Sequence, residues 1–500
     1  MVASPKVVVI GSGLGGLSCG WILQRNHYEV TVLEQGTQIG GCLQCFSRRG
    51  AKFETGMHFI GSAAPGQTMH KVMRYFGLLD SVELSALDTD SYNTVALGGQ
   101  QFHFPNGKEA FMERFSAYFP REKDSLRKYV DIVHRIASAS ALGSLVSSDR
   151  DANANTEYQA RSINEVLDTL FKDSLLKKVL VGDLPLYSAE WDKTPFSQHA
   201  FIMDFYNQSA YRVVGGSDAM ASSLARNIER QGGRLFTSAK AVRICCDDAK
   251  AVGVETADGR FFPADYVIST IHPKRLLEIL DTKLIRPAFR RRINAIPQTA
   301  SSFALYVKFK SGAMPYMNTN FFGYDSGTPW NCEHYAPDEW PKGFLYMHMC
   351  AEAGLEWARS GVVLSYMKME DVARWLGTSV GHRGEEYESF KREHADRLMA
   401  SVEKHVPGFR ASVAEYYTST PLTYLDYTGT EDGSMYGVAK DVNRGLEVRV
   451  PYRTKIPNLF LAGQNVNSHG MMGVVVGTIL ACSELVPAQK IYEQIKEANQ

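Results

Sequence analysis

Residues 6–34, KVVVIGSGLGGLSCGWILQRNHYEVTVLE, decide the fold of this 500-residue chain. A β-branched run, a glycine-rich turn, an apolar helix, a second β-branched run and a closing glutamate follow one another there, which is the order of a βαβ unit that binds a dinucleotide. Each residue of the turn has a task. Gly11 permits the tight exit from the first strand, Ser12 and Gly13 let the backbone approach a pyrophosphate, and Gly16 lets the helix pack closely on the sheet. The helix N-terminus then offers free N–H groups and the positive end of its dipole to the phosphates. Glu34 stands 18 residues beyond Gly16, where its carboxylate can accept hydrogen bonds from the adenosine ribose hydroxyls, favouring an unmodified ribose over a 2′-phosphate. The motif by itself does not separate NAD from FAD.

The residues after Glu34 narrow the choice. Gly40 and Gly41 follow Gln35 in EQGTQIGGC, a second side-chain-free approach that suits a dinucleotide whose ribityl arm runs on past the pyrophosphate. This extension resembles that of FAD-binding enzymes of the amine oxidase and phytoene desaturase group. GAKFETGMHFIG, residues 50–61, is similar to the G-x-x-x-D/E-x-G segment beside the flavin in those families. The resemblance therefore implies that Met57 and His58 lie near the isoalloxazine, with Cys42 close by. His58 reads equally as a half-buried strand histidine and as a group at the flavin edge.

Composition bounds the rest. A chain of 500 residues exceeds one ordinary core, so two domains are expected. Lys plus Arg equals Asp plus Glu at 54 each, and this balance, without a basic stripe interleaved with aromatics, argues against a nucleic-acid partner. The first residues run straight into a strand with no charged and apolar leader, and no run of 18 apolar residues occurs, so a cytoplasmic protein with at most peripheral membrane contact is expected. Phe289 among Arg286, Arg290, Arg291 and Arg292 is where such contact would fall, although a solvated helix face fits the same pattern better. Eight cysteines suggest reduced thiols. Cys42 and Cys45 form a CxxC beside the double glycine, but nothing accompanies them at metal-ligand spacing, so no metal is expected and small loop residues are the favoured reading.

Further along, residues 68–210 read as helices with intervening β character, their apolar residues at three- and four-residue spacing and a polar break at 149–155. The texture changes at Tyr211, where YRVVGGSDAMASSLARNIERQGG and AVGVETADGRFFPADYVIST return to α/β patterning with a β-meander and a buried strand. Residues 283–415 mix strands such as SSFALYVKF with a long helix, GEEYESFKREHADRLMASVEKHVPGF. PNLFLAGQNVNSHGMMGVVVGTILACSELV then reads as a strand, a glycine-rich turn and an apolar helix beginning near Gly473. The expected architecture is α/β: a discontinuous Rossmann-like domain from residues 1–67, 211–282 and 416–500, with an inserted α+β substrate domain from 68–210 and 283–415.

GSGLGG, GGCLQCF, ETGMHFIG, YRVVGGS and GQNVNSHGMMGVVVGTILACSEL together resemble the retinol saturase and carotenoid isomerase branch of the phytoene desaturase-like flavoproteins, over nearly the whole chain. The resemblance implies that FAD also meets Val242 through its backbone at the adenine, and Gly463, Gln464, Met472, Gly473 and Val474 at the C-terminal turn. Many relatives carry an acid where Gln464 stands, and glutamine looks more like the saturase branch. A long apolar, isoprenoid substrate is implied, worked on by hydride transfer at flavin N5, with a redox-neutral polyene isomerase as the alternative and a flavin amine oxidase or a non-catalytic flavin protein below it. No second GxGxxG follows a strand, so a reduced nicotinamide serving as reductant would have no dedicated domain. His58 and Tyr427 are the proton-donor candidates, and Tyr436 joins Tyr427 as a candidate to line the pocket. Oligomeric state cannot be read from these residues.

Overall fold

A computed structural model describes residues 4–140 and 152–500; residues 149–151 of the polar break lie outside them, while Ala152–Gln159 is helical. The three expected stretches meet in one parallel sheet. Its strands run in the order Arg234–Phe236, Glu29–Leu33, Lys6–Ile10, Tyr266–Ser269 and Leu459–Leu461, each parallel to its neighbour. Alternation along the first strand explains why both sheet faces are covered. Val7 and Val9 pack with Leu17, Leu224 and Ile479, from the helices Leu14–Arg25, Asp218–Arg230 and Gly470–Cys482. Val8 and Ile10 pack with Ile244 and Val254 of the meander Ala241–Pro263.

The two insertions share a second sheet. Its order is Val413–Ser419, Ser301–Phe309, Ser360–Met367, Phe344–His348, Asn320–Tyr324, Asn93–Leu97 and Gln100–Phe104. All its pairs are antiparallel except Asn320–Tyr324 with Asn93–Leu97. Helices from the first insertion cover one face, where Leu126, Leu176 and Phe196 pack with Phe322 and Val362. The long helix, Glu385–His405, covers the other through Leu398 and Val402 against Phe303 and Val363.

Three sequence boundaries move. The helix Thr68–Tyr75 buries Met69, Val72 and Met73 in the same core as Val7 and Val9, so the first insertion leaves the parallel-sheet domain after Val82 rather than at 68. The helices Pro273–Glu278 and Pro287–Asn294 bury Leu276, Leu277 and Ile293 against the meander side of the parallel sheet, so the second insertion leaves that domain near 300 rather than at 283. At its far end, Val413–Ser419 is an edge strand of the second sheet and Leu422 of the helix Pro421–Thr428 belongs to that sheet's core, so the return comes after 428 rather than at 416. The shifts have one cause: each segment follows the apolar face it can bury, which periodicity alone does not identify.

Candidate functional site

The first strand delivers the chain into the glycine turn, and close packing fixes its residues. Gly11 adopts φ +99° and donates to Leu33 O at 2.8 Å. A Cβ on Gly16 would lie 1.8 Å from Gly11 O, and one on Gly15 would lie 2.9 Å from Gly463 Cα. The Gly13 position is roomier: its nearest neighbour, Gly41 Cα, is 4.0 Å from a built Cβ. No side chain caps the helix Leu14–Arg25, so its N-terminal N–H groups point free into that space.

Glu34 is held at the end of its strand by Ser12 N–H at 3.1 Å, Ser12 Oγ at 2.5 Å and Gly36 N–H at 2.7 Å. Gln35 beside it is exposed. The double glycine packs directly on the first turn: Gly40 donates to Ser12 O at 3.0 Å and pairs with Gly13 in an isolated bridge. A backbone-lined cradle, an uncapped helix and an anchored carboxylate on one sheet edge fit a dinucleotide with an unmodified ribose. Val242 is 41% exposed at a bulge between the pairs Ala241–Thr256 and Arg243–Glu255.

At the other end of this edge, Met57 and His58 are buried, and Met57 N–H donates to Cys42 O at 3.0 Å. Glu54 accepts Ser217 N–H at 3.0 Å. His58 Nδ1 lies 3.6 Å from Glu54 Oε2, too far for a hydrogen bond, and has no partner. Behind His58 stands Arg212, fully buried, donating to His58 O at 3.3 Å, Thr319 O at 3.1 Å and Asn320 Oδ1 at 3.0 Å. Sequence reasoning passed over Arg212, since an arginine inside a strand carries no motif. Burial pushes the Cys45 thiol up to about 12, and its sulfur lies 3.6 Å from Ser217 Oγ, so Cys45 stays a thiol rather than a nucleophilic partner for Cys42.

The C-terminal turn closes the same edge. Gly463 adopts φ +89° against Gly15, Gln464 is half-buried beside it, and the helix begins at Gly470 rather than Gly473, capped by no side chain. Gly473 is tight because a Cβ there would lie 2.6 Å from Ser468 Cβ. Met472 is half-buried and Val474 buried on the first turns of the helix. His469 at the N-cap stacks on Tyr436, ring centroids 4.4 Å apart. Burial holds the His469 imidazole down to about 3, so it is neutral there. Tyr436 in turn donates to Pro185 O at 2.9 Å, tying the turn to the inserted helices.

Tyr427 does not join this group. It is 63% exposed on the helix Pro421–Thr428, while Tyr424, one turn earlier, is within 3.0 Å of Ser302 Oγ. Next to Tyr436, Pro185, Ser302, Tyr324, Leu364, Tyr366 and Met435 line a narrow, mainly apolar crevice.

Comparison with known proteins agrees with this geometry. A family model described as flavin containing amine oxidoreductase matches residues 14–486. The chain is 27% identical to all-trans-retinol 13,14-reductase of Rattus norvegicus, over 98% of this chain and 86% of that protein. It is 24% identical to prolycopene isomerase 2, chloroplastic, of an Oncidium hybrid cultivar, over 97% and 84%. Among solved structures, an oxidoreductase from Methanosarcina mazei superposes with a TM-score of 0.67 at 16% identity, over 96% of this chain and 100% of that one.

Proposed function

The chain belongs to the family of flavin-containing amine oxidoreductases and is an FAD-dependent oxidoreductase; from that premise we propose that its substrate is a long apolar, isoprenoid polyene, retinoid- or carotenoid-like, whose C=C or C–C bonds it saturates or desaturates. The observation that carries this reading is the likeness over nearly the whole chain to all-trans-retinol 13,14-reductase and prolycopene isomerase, and the mainly apolar lining of the crevice beside Tyr436 is in keeping with it. Bound FAD would supply hydride transfer at N5. The chain's own residues bind, orient and exclude water. Glu34 takes the ribose hydroxyls, and the free N–H groups after Gly13 take the pyrophosphate. The uncapped N-terminus of the helix Gly470–Cys482 would favour negative charge on a flavin held beside it. Met57 and His58 close the strand side, and Tyr436 fixes the loop against which the polyene lies.

A redox-neutral polyene isomerase is the second reading. It is favoured by the likeness to prolycopene isomerase and, among the described residues, by one parallel sheet of the nucleotide-binding kind with no second for a reduced nicotinamide. An anaerobic assay on all-trans-retinol and on a poly-cis carotene, with chemically reduced flavin, separates the two: added hydrogen in the product supports saturation, an isomer of unchanged mass supports isomerisation, and neither product removes both. Among the described residues, no helix is long and apolar enough to cross a membrane. Peripheral contact through Arg286 and Arg291 forms part of this reading, because Arg290 and Arg292 are spent on the carbonyls of Leu277 and Arg449. Retention of the protein on anionic vesicles tests it.

A further inference from the structure

Arg212 occupies an unfavourable position. A guanidinium is a permanent cation, yet this one is 2% exposed and every oxygen it donates to is neutral. Glu54, the buried acid beside His58, is occupied by Ser217 N–H at 3.0 Å. Taking an ion out of water without a counter-charge costs stability, so what the guanidinium holds together is the informative feature.

It holds three segments at once. Arg212 lies on the strand Ala210–Val213, the middle of a three-stranded sheet with Ile60–Gly61 and Leu84–Ala86. One arm of its fork donates to His58 O at 3.3 Å, on the stretch that leads into Ile60–Gly61. The other donates to Thr319 O at 3.1 Å and to Asn320 Oδ1 at 3.0 Å, where the second insertion begins the strand Asn320–Tyr324. The Asn320 amide goes on to Asn93 Oδ1 at 2.9 Å and Tyr92 O at 3.2 Å in the first insertion. A single side chain therefore ties the stretch of Met57 and His58 to the point where both insertions meet. A planar fork with several N–H groups in fixed directions suits this task, whereas a lysine is a point charge on a flexible stem.

Close contacts carry the tie on to the glycine cradle. Met57, next to His58, donates its N–H to Cys42 O at 3.0 Å. A Cβ on Gly56 would lie 2.9 Å from Cys42 Cβ, and one on Gly41 would lie 3.0 Å from Gly13 Cα, so the stretch, the double glycine and the first turn pack without slack. On the opposite side, Asn318 Nδ2 donates to Ala86 O at 3.0 Å and Asp88 N–H to Asn318 O at 2.9 Å. Those bonds fix the residue before Thr319, whose carbonyl Arg212 uses.

We propose that Arg212 is a positioning residue: it sets the place of Met57 and His58 from the junction of the two insertions, so that the cofactor cradle and the substrate sheet are held in one register. The inference rests on the reading above that Met57 and His58 close the cofactor site, and it needs no bound polyene.

The test compares FAD-loaded variants by flavin titration and by the visible circular dichroism of the bound flavin. Arg212→Lys keeps the charge and loses the fork; it is expected to fold with far-ultraviolet circular dichroism near wild type, to bind FAD at least about tenfold more weakly, and to change the visible bands. Asn320→Ala removes one acceptor and is expected to give a smaller change in the same direction. The double variant is expected to lose no more FAD affinity than Arg212→Lys alone, because Asn320 reaches the cradle only through Arg212. Tyr387→Phe removes one buried hydrogen bond, to Thr420 Oγ1 at 2.8 Å, in the core under the long helix; it is expected to lower the thermal midpoint and leave affinity and bands alone. His58→Ala tests the reading beneath the proposal and is expected to move the bands. If it moves them while folded Arg212→Lys keeps wild-type affinity and bands, the proposal is overturned and Arg212 is an element of stability only. Losses that add in the double variant overturn it too, and if Arg212→Lys does not fold, unchanged bands in Asn320→Ala do so alone. If His58→Ala leaves the bands unmoved, the placement of this stretch at the cofactor fails instead.

Discussion

At the scale of single residues, the glycine turn separates two kinds of damage. A side chain at Gly16 would collide with Gly11 O, so Gly16→Ala is expected to reduce folded yield as well as flavin content. Gly13 has room in the protein itself, and in the proposed reading a larger side chain there occupies the pyrophosphate's place. Gly13→Val is therefore expected to purify as a folded but colourless protein, with circular dichroism near wild type; full yellow absorbance would contradict the cofactor site. In the proposed reading Glu34→Ala removes a charge-assisted bond to the ribose, and it is expected to weaken FAD binding by roughly ten- to a hundredfold, measured by flavin titration of the apoprotein. Asp183, buried at 2% exposure before Leu184 with no hydrogen-bond partner for Oδ1, supplies a stability signature of its own. A carboxyl of the unfolded chain ionises near its ordinary value of 3.8, whereas the native group holds its proton to about 7, so native protein binds more protons across that window and stability falls as pH rises through it. Asp183→Asn cannot ionise. Its thermal midpoint, followed by calorimetry, is expected to decline less than wild type's between those two values, and parallel profiles would show that the carboxyl is not held neutral.

At the scale of elements, the clearest joint is the clasp of Tyr436 between His469 and Pro185. Tyr436→Phe keeps the ring stack and loses one neutral hydrogen bond, a cost of about 1 kcal/mol. Tyr436→Ala also loses the stack and the packing around it, about 3 kcal/mol or more, so urea unfolding should rank Ala well below Phe. Equal losses would mean that the hydroxyl rather than the ring makes the joint. How far such elements could be read in advance depended on the range of their causes. The βαβ unit, the meander after Ala251 and the long helix Glu385–His405 are local in origin, set by β-branched runs, turn residues and helical spacing within a few residues of one another. Tyr436 and its partners are far apart in sequence, with Pro185 and His469 lying on two different segments. Nothing local in GSMYGV distinguishes a tyrosine that clasps the site from one, such as Tyr427, that faces solvent. Arg212 was missed for the same reason, because an arginine inside a strand carries no motif and its acceptors lie on other segments. Resemblance reached the glycines and the flavin-side strand, whose backbones are repeated as motifs, and it stopped where side chains from separate insertions meet.

At the scale of the whole molecule, the substrate region is woven rather than appended. The strands Asn93–Leu97 and Gln100–Phe104 come from the first insertion, yet they extend a sheet whose other five strands lie between Ser301 and Ser419. The junction is the parallel pair of Asn320–Tyr324 with Asn93–Leu97, with Asn320 and Asn93 joined side chain to side chain at 2.9 Å. Val95 sits in the same core as Phe322 and Leu345. The boundaries near 300 and after 428 carry the same message, since each insertion borrows part of its burial from the other. A piece cut at the sequence-derived limits, residues 283–415, would expose the backbone edge of Asn320–Tyr324 and the apolar face that the first insertion's helices cover, and would also lose part of its own edge strand Val413–Ser419. Expressed alone it is expected to aggregate. Residues 297–428 co-expressed with residues 68–210 as a separate chain are expected to give more soluble protein, because both sheet faces and the parallel junction are then restored. Equal solubility of 283–415 by itself, with a cooperative unfolding transition, would show that the second sheet is complete without the first insertion and that the crevice beside Tyr436 belongs to one insertion rather than to the meeting of two.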